Sequence, residues 1–197
     1  MADKVRSERP RIVWNLSNLD IMESDLPFGR VDAVYSDPPW GGPNLKYWRT
    51  HNGQVGHPVD WGGFLGRFFY HCKKHCPNGP WYVETGVRFI EDLVKASPLC
   101  LSGFRECRYK AGSKWLPNVL LAFGHQFPAQ PLPGEDRYGV KLVRWCLSEI
   151  EAGSSVLDPC CGLGLTAKAC VTHGLNFYGN ELNPKRLERT RKVLEAS

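Results

Sequence analysis

No apolar run in this chain approaches the roughly 20 residues that a membrane-spanning helix needs, so no spanning segment is expected. The start, Met1 to Arg11, is polar and mixed in charge and lacks the apolar stretch of a secretory signal. Repeats, low-complexity tracts and obvious linkers are missing too, which leaves a single domain over 1–197 as the expectation. Acidic residues are the minority, 20 against 25 Lys and Arg, for a net charge of +5. That balance permits a polyanionic partner without requiring one. With 42% hydrophobic and 23% charged residues the composition is that of a globular chain rather than a disordered one. Cysteine is not scarce, at eight. Cys160 and Cys161 are adjacent in a glycine turn and no secretory signal precedes them, so free thiols in a reducing cytoplasm are expected rather than disulfides.

Hydrophobic spacing and turn residues give a coarse order of elements. Strands are expected at 11–16, 31–36, 81–84, 104–110, 118–123, 156–157 and 176–181. Helices are expected at 21–29, 60–76, 88–97, 138–151, 166–173 and 184–195. Residues 41–58, rich in Gly, Asn, His and aromatics without a clear period, read as a long loop, and 126–136 as a surface connection. Strands mostly alternate with helices, which implies a parallel-rich, three-layer α/β sandwich.

Two strand ends carry chemistry. Val156-Leu157 runs into Asp158-Pro159-Cys160-Cys161-Gly162-Leu163-Gly164, and a helix follows near Thr166. An acid at a strand end, a glycine turn and a helix N-terminus are how α/β folds hold a nucleoside. The next strand ends at Glu181, placed to take both ribose hydroxyls, about 20 residues on as in dinucleotide sites. The turn lacks the third glycine of the dinucleotide fingerprint. The other strand end is Asp37-Pro38-Pro39-Trp40. The lone pair of a nucleobase's exocyclic amine is delocalised into the ring. A carboxylate and a carbonyl that both accept from the NH₂ draw it toward sp³. A proline pair keeps a carbonyl out of any strand ladder, and an aromatic offers a stacking face.

Together these segments resemble S-adenosylmethionine-dependent methyltransferases, and more closely the amino-methyltransferases of DNA. That family's cofactor loop reads roughly D-P-F-x-G-S-G-T-T, which Asp158 to Thr166 matches at Asp158, Pro159, Gly162, Gly164 and Thr166. Its next strand ends G-x-E-x-N/D, matched by Gly179 to Asn183. The resemblance runs from about Arg11 to Glu195. It implies a Rossmann-like methyltransferase fold with a mixed sheet and S-adenosyl-L-methionine as cofactor. The cofactor would be held by Ser36, Asp158, Pro159, Cys160, Gly162, Gly164, Thr166, Glu181 and Asn183. Lys141 carries over from the lysine-bearing upstream helix, although Arg137 to Lys141 departs from the family's H-P-x-x-K. The resemblance also assigns Asp37, Pro38, Pro39 and Trp40 to the target base. The D-P-P version of the motif points to adenine N6, and the [ST]-P-P version to cytosine N4. The catalytic motif precedes the cofactor motif by about 120 residues, the permuted order of the beta group.

The expected partner is DNA, with RNA possible, and no membrane. The expected assembly is a monomer or homodimer, with room for a second subunit in target recognition. The expected location is cytoplasmic and nucleoid-associated, or nuclear in a eukaryote. A second class stays open, an inactive methyltransferase fold that serves as a nucleic-acid-binding subunit. Recognition is expected from 41–58, where Lys46, Tyr47, Trp48 and Arg49 interleave charge with aromatics, and from 125–137. His71-Cys72-Lys73-Lys74-His75-Cys76 looks like a metal tract but has no second ligand pair at zinc spacing, so no metal is expected.

Overall fold

The computed structural model describes residues 12–196 except 55, 57, 133, 135 and 136. Arg11 of the first expected strand and those five positions of the two expected recognition loops therefore lie outside the described residues.

Seven strands form one sheet: β1 (Trp14–Ser17), β2 (Ala33–Ser36), β3 (Trp81–Thr85), β4 (Leu101–Ala111), β5 (Lys114–Phe123), β6 (Ser155–Asp158) and β7 (Asn176–Asn180). Their spatial order is β1-β7-β6-β2-β3-β5-β4. Pairing is parallel from β1 through β3 and antiparallel at β3–β5 and β4–β5. The helices are α1 (Gly41–His51), α2 (Trp61–His75), α3 (Ile90–Ala96), α4 (Gly139–Cys146), α5 (Leu165–His173) and α6 (Pro184–Glu195).

Alternation along the strands divides the core into two layers. Val34, Trp81, Val83, Leu121, Phe123 and Leu157 pack with Phe64, Phe68, Phe69 and Cys72 of α2 and Leu93 of α3. Ala33, Tyr35, Tyr82, Leu120, Ala122 and Val156 pack with Leu142 and Val143 of α4, Ala167 and Cys170 of α5, and Leu187 of α6. Both faces are covered, so β2, β3 and β6 read as continuous apolar runs. The result is the expected three-layer α/β sandwich with a mixed sheet.

Local chemistry sets the helix ends. Asp60 caps α2 by accepting from the Gly63 amide at 2.8 Å, and Lys73, Lys74 and His75 face the negative end of its dipole. Asn183 caps α6 by accepting from the Lys185 and Arg186 amides at 3.0 and 3.1 Å, with Pro184 in the first turn.

Four expectations need correction. Residues 41–51, read as loop, form α1. Its inward stripe is Leu45, Trp48, Arg49 and Asn52, which is helical spacing carried half by polar side chains and so hidden from a hydrophobicity pattern. Residues 21–29 are not a helix; they form a turn at 21–24 followed by irregular chain. The carbonyls of Ile21 and Ser24 accept from Arg67 at 3.0 Å each, and the Gly29 carbonyl bonds the His75 ring at 3.0 Å, so α2 side chains meet their needs. The helix expected to Glu151 ends at Cys146, where the Ser148 hydroxyl takes the Trp145 carbonyl at 2.8 Å. The β4–β5 hairpin is longer than expected: β4 begins at Leu101 rather than Phe104, and β5 begins at Lys114 rather than Asn118, its first four residues all exposed and so without an alternating pattern.

Candidate active site

β6 and β2 are neighbours, and the chain leaves them in opposite directions across the sheet, β6 toward β7 and β2 toward β3. A crevice opens at the carboxyl ends of strands wherever the order reverses in this way. Here the two motif strands are tied together. The Ser36 hydroxyl donates to Asp158 Oδ1 at 2.7 Å, the Thr166 hydroxyl to Asp158 Oδ2 at 2.5 Å, and the Cys160 amide to Oδ1 at 3.1 Å. Asp158 is 3% exposed, and burial pushes its carboxyl up to about 6 despite these three donors.

The glycine turn that follows is left-handed at Gly162 (φ 55°) and Gly164 (φ 82°). A Cβ at Gly164 would stand 3.0 Å from the Thr190 hydroxyl, and one at Gly162 would stand 2.7 Å from the Arg186 guanidinium. Both positions therefore favour glycine through their left-handed backbone, and at Gly164 the close approach of Thr190 adds to this. Glu181, one residue past β7, accepts from the Gly162 amide at 2.9 Å and the Asn183 amide at 2.8 Å. Its carboxylate is thereby aimed from below.

A cavity of about 330 Å³ lies in the crevice. Asp37, Pro38, Pro39, Trp40 and Tyr109 line one part of it, and Pro159, Cys160, Glu181, Leu182 and Arg186 another. Leu19 to Met22 and the inward stripe of α1 close it. The Trp40 indole donates to Asp37 Oδ1 at 2.9 Å and meets the Tyr109 ring edge-on, with centroids 4.8 Å apart at 88°. Arg186 stacks on Trp48 at 4.3 Å and stands 3.9 Å from Glu181.

Burial, Glu84 and Asp158 raise the Asp37 carboxyl well above the usual carboxylate range, against the Trp40 hydrogen bond. The Asp37 side chain is itself exposed, on the wall of the cavity. Glu84 lies beneath, buried, accepting from the Tyr35 hydroxyl at 2.6 Å and the Asn118 amide at 2.8 Å. Burial raises its carboxyl as well.

The expected residues are not all brought to the cavity. Pro159, Cys160, Glu181, Asp37 to Trp40, Trp48 and Arg49 line it. Ser36, Asp158, Gly162, Gly164 and Thr166 form the scaffold beside it, and Asn183 is committed to the α6 cap. Lys141 sits exposed on α4, away from the lining. Lys46 and Tyr47 are on the outer side of α1, Tyr47 50% exposed and packed on His51. Arg49 departs from the expected phosphate contact. It is 7% exposed and turned inward, 3.3 Å from Asp20 and 3.9 Å from Glu23.

His71 and His75 are buried, their rings stacked 6.2 Å apart, and hydrogen-bonded to the Ile21 and Gly29 carbonyls. Among the described residues no group of three or more His, Cys, Asp or Glu side chains could hold a metal ion. All eight cysteines are free thiols. No helix among the described residues is long and apolar enough to cross a membrane. Sequence reasoning missed Tyr109, Glu84, Asp20 and Arg186. Asp20 alone carried a signal, an acid closely following the first strand.

No family model matches the chain, and no curated protein matches it. Solved structures do. M1.HpyAVI is 17% identical with a TM-score of 0.62, over 92% of this chain and 98% of its own. TTHA0409 of Thermus thermophilus, complexed with S-adenosyl-L-methionine, is 18% identical with a TM-score of 0.62, over 93% and 94%. The cytosine-N4-specific PvuII DNA methyltransferase is 13% identical with a TM-score of 0.66, over 95% and 89%. The chain therefore has the α/β methyltransferase fold that these structures share.

Proposed function

We propose that this protein is an S-adenosylmethionine-dependent methyltransferase of the permuted beta group that methylates N6 of adenine in DNA. The observation that carries the reading is the joining of two strand ends. The Ser36–Asp158 hydrogen bond holds the strand of Asp37-Pro38-Pro39-Trp40 against the strand of the glycine turn, and both border one cavity. Structures solved with S-adenosylmethionine, M1.HpyAVI and TTHA0409, support the choice of cofactor.

The residues present fit that cofactor. Glu181 is a carboxylate oriented by two amides at the rim of the glycine turn, which suits a ribose diol. Pro159, Cys160 and Leu182 supply apolar wall for a nucleoside. Asp158 acts as the brace beneath. The bound cofactor supplies an electrophilic methyl group on a sulfonium. The chain's own groups do the rest, chiefly by positioning and by excluding water. Asp37 and the Pro38 carbonyl accept the hydrogens of the target amine and free its lone pair. Trp40, braced by Tyr109, stacks on the base. The methylated amine must shed one proton, and the Asp37 carboxylate that accepts from that amine is placed to take it. Adenine reaches such a cavity only when unpaired or rotated out of the duplex.

Asp37 in place of Ser or Thr favours adenine N6 in DNA. The likeness to the PvuII enzyme favours cytosine N4 as the second reading. Incubation with S-adenosylmethionine and mixed DNA and RNA, digestion, and mass analysis of the nucleosides separates these readings. The expected product is N6-methyldeoxyadenosine. Only N4-methylcytosine, only methylated RNA, or no transfer would each reject the reading.

A further inference from the structure

The β4–β5 hairpin does more than close the sheet. Val119 to Phe123 of β5 pair with β3, whereas Lys114 to Asn118 pair only with Cys107 to Ala111 of β4. Because Val119 lies opposite Thr85, the last residue of β3, this outer ribbon continues past the carboxyl end of β3. Five residues at about 3.3 Å each carry it roughly 15 Å beyond the sheet. The cavity is on that same side, and Tyr109 of the ribbon is part of its wall.

The ribbon's charge is of one sign. Residues 107–118 carry Arg108, Lys110 and Lys114 and no carboxylate. Lys110 lies opposite Trp115, and Arg108 is diagonal to it on the same face, whereas Lys114, opposite Ala111, shares the other face with Tyr109. The Arg108 guanidinium stacks 4.8 Å from Trp115 and 5.5 Å from Tyr138. Trp115 is nevertheless 42% exposed. A two-stranded ribbon without a core is marginal in water on its own, and this one also leaves the Trp115 ring partly in solvent beside Arg108 and Lys110. Stacked guanidinium, indole and flanking lysines suit phosphates and base rings. A two-stranded ribbon is also one of the shapes that enters the major groove of DNA.

We propose that the outer β4–β5 ribbon is the element that grips the DNA backbone beside the base held in the cavity, reaching phosphates from both of its faces, with Lys110 and the Arg108–Trp115 stack on one and Lys114, on the face of Tyr109, on the other. This rests on the functional reading above for its choice of DNA. It places the grip on a segment outside both loops expected from the sequence.

The test uses the full chain, the double variant Lys110→Glu/Lys114→Glu, and a fluorescent DNA duplex titrated at several salt concentrations. Binding of labelled S-adenosylmethionine is measured in parallel as a check on the fold. Affinity for DNA should fall about tenfold or more at low salt, and the log–log salt slope should flatten by about 2, near 0.9 for each phosphate no longer neutralised. Cofactor binding should not change. If the double variant loses the cofactor too, the milder Lys110→Gln/Lys114→Gln pair replaces it, with the same slope change expected. Unaltered DNA binding by a variant that keeps the cofactor would overturn the proposal. So would a parent protein that binds no duplex at low salt, or one that prefers RNA through these lysines. A parent that sediments as a dimer and is split by Trp115→Ser with DNA affinity intact would assign the ribbon to a second copy. Methyl transfer is not the readout, so a parent that grips DNA through the ribbon yet transfers no methyl group contradicts the functional reading alone.

Discussion

Asp158 illustrates how one residue can look like a ligand and act as a brace. Its position at a strand end before a glycine turn is what cofactor-binding acids share, yet three donors already occupy it and it is 3% exposed. Its carboxyl is raised from 3.8 to about 6 in the folded chain. A raised acid binds its proton more tightly when folded, so its contribution to stability is full below pH 3.8 and is lost as pH rises through about 6. Asp158→Asn should therefore remove part of the loss of melting temperature between about pH 4 and about pH 7. Parallel melting profiles for parent and variant would show that Asp158 carries no such penalty. Tyr109 makes the opposite point. Nothing in Arg-Tyr-Lys on an expected strand marks a wall of the cavity; only the hairpin's path past β3 brings that ring to Trp40. We predict that Tyr109→Ala lowers methyl transfer at least about tenfold, since it removes one edge-on ring pair and opens the enclosure around the base, with cofactor affinity unchanged. Equal activity in the variant would remove Tyr109 from the site.

At the scale of elements, α1 decides what the 41–58 segment does. Charge and aromatics there read as a nucleic-acid grip, but the helix turns Arg49 inward onto Asp20 beneath the cavity. Removing one partner of a buried ion pair costs about 3–5 kcal/mol, because the other charge is left uncompensated. Asp20 also accepts from Gln54 at 2.6 Å and from the Met22 amide at 3.0 Å, which places Arg49→Met near the low end, about 3 kcal/mol in denaturant unfolding. Lys46→Ala, on the exposed side, should stay within about 0.5 kcal/mol. Similar small changes for both would return Arg49 to the surface. The elements legible in sequence were those with an apolar stripe and a punctuated end, such as α2 between Asp60 and Pro77 and α6 after Asn183-Pro184. The helix lining a polar cavity was not, because half of its inward face is Asn and Arg. In the outer ribbon, 107–110 fell within the expected strand 104–110, but 114–117 did not read as strand, because four exposed residues show no alternation of buried and exposed positions.

For the whole molecule, the fold follows from alternating strands and helices with two covered sheet faces. The order β1-β7-β6-β2-β3-β5-β4 brings residues about 120 apart in the chain to one hydrogen bond, Ser36 to Asp158. The sequence showed both motifs, and resemblance supplied their meeting; spacing alone could not, since contact across the switch point depends on which strands become neighbours. On the proposed function one cavity divides its labour, with Asp37 holding the amine and Glu181 holding the cofactor. A hydrogen bond to a charged group contributes about 1.5–3 kcal/mol, or one to two orders of magnitude in affinity. The most direct measurement is calorimetric titration of S-adenosylmethionine into Asp37→Ala and Glu181→Ala, with methyl transfer to DNA followed on the same preparations. The account predicts that Asp37→Ala binds cofactor nearly as the parent does and transfers nothing, while Glu181→Ala binds it about 10- to 100-fold more weakly. Equal loss of cofactor affinity in the two variants, or methyl transfer surviving in Asp37→Ala, would contradict it.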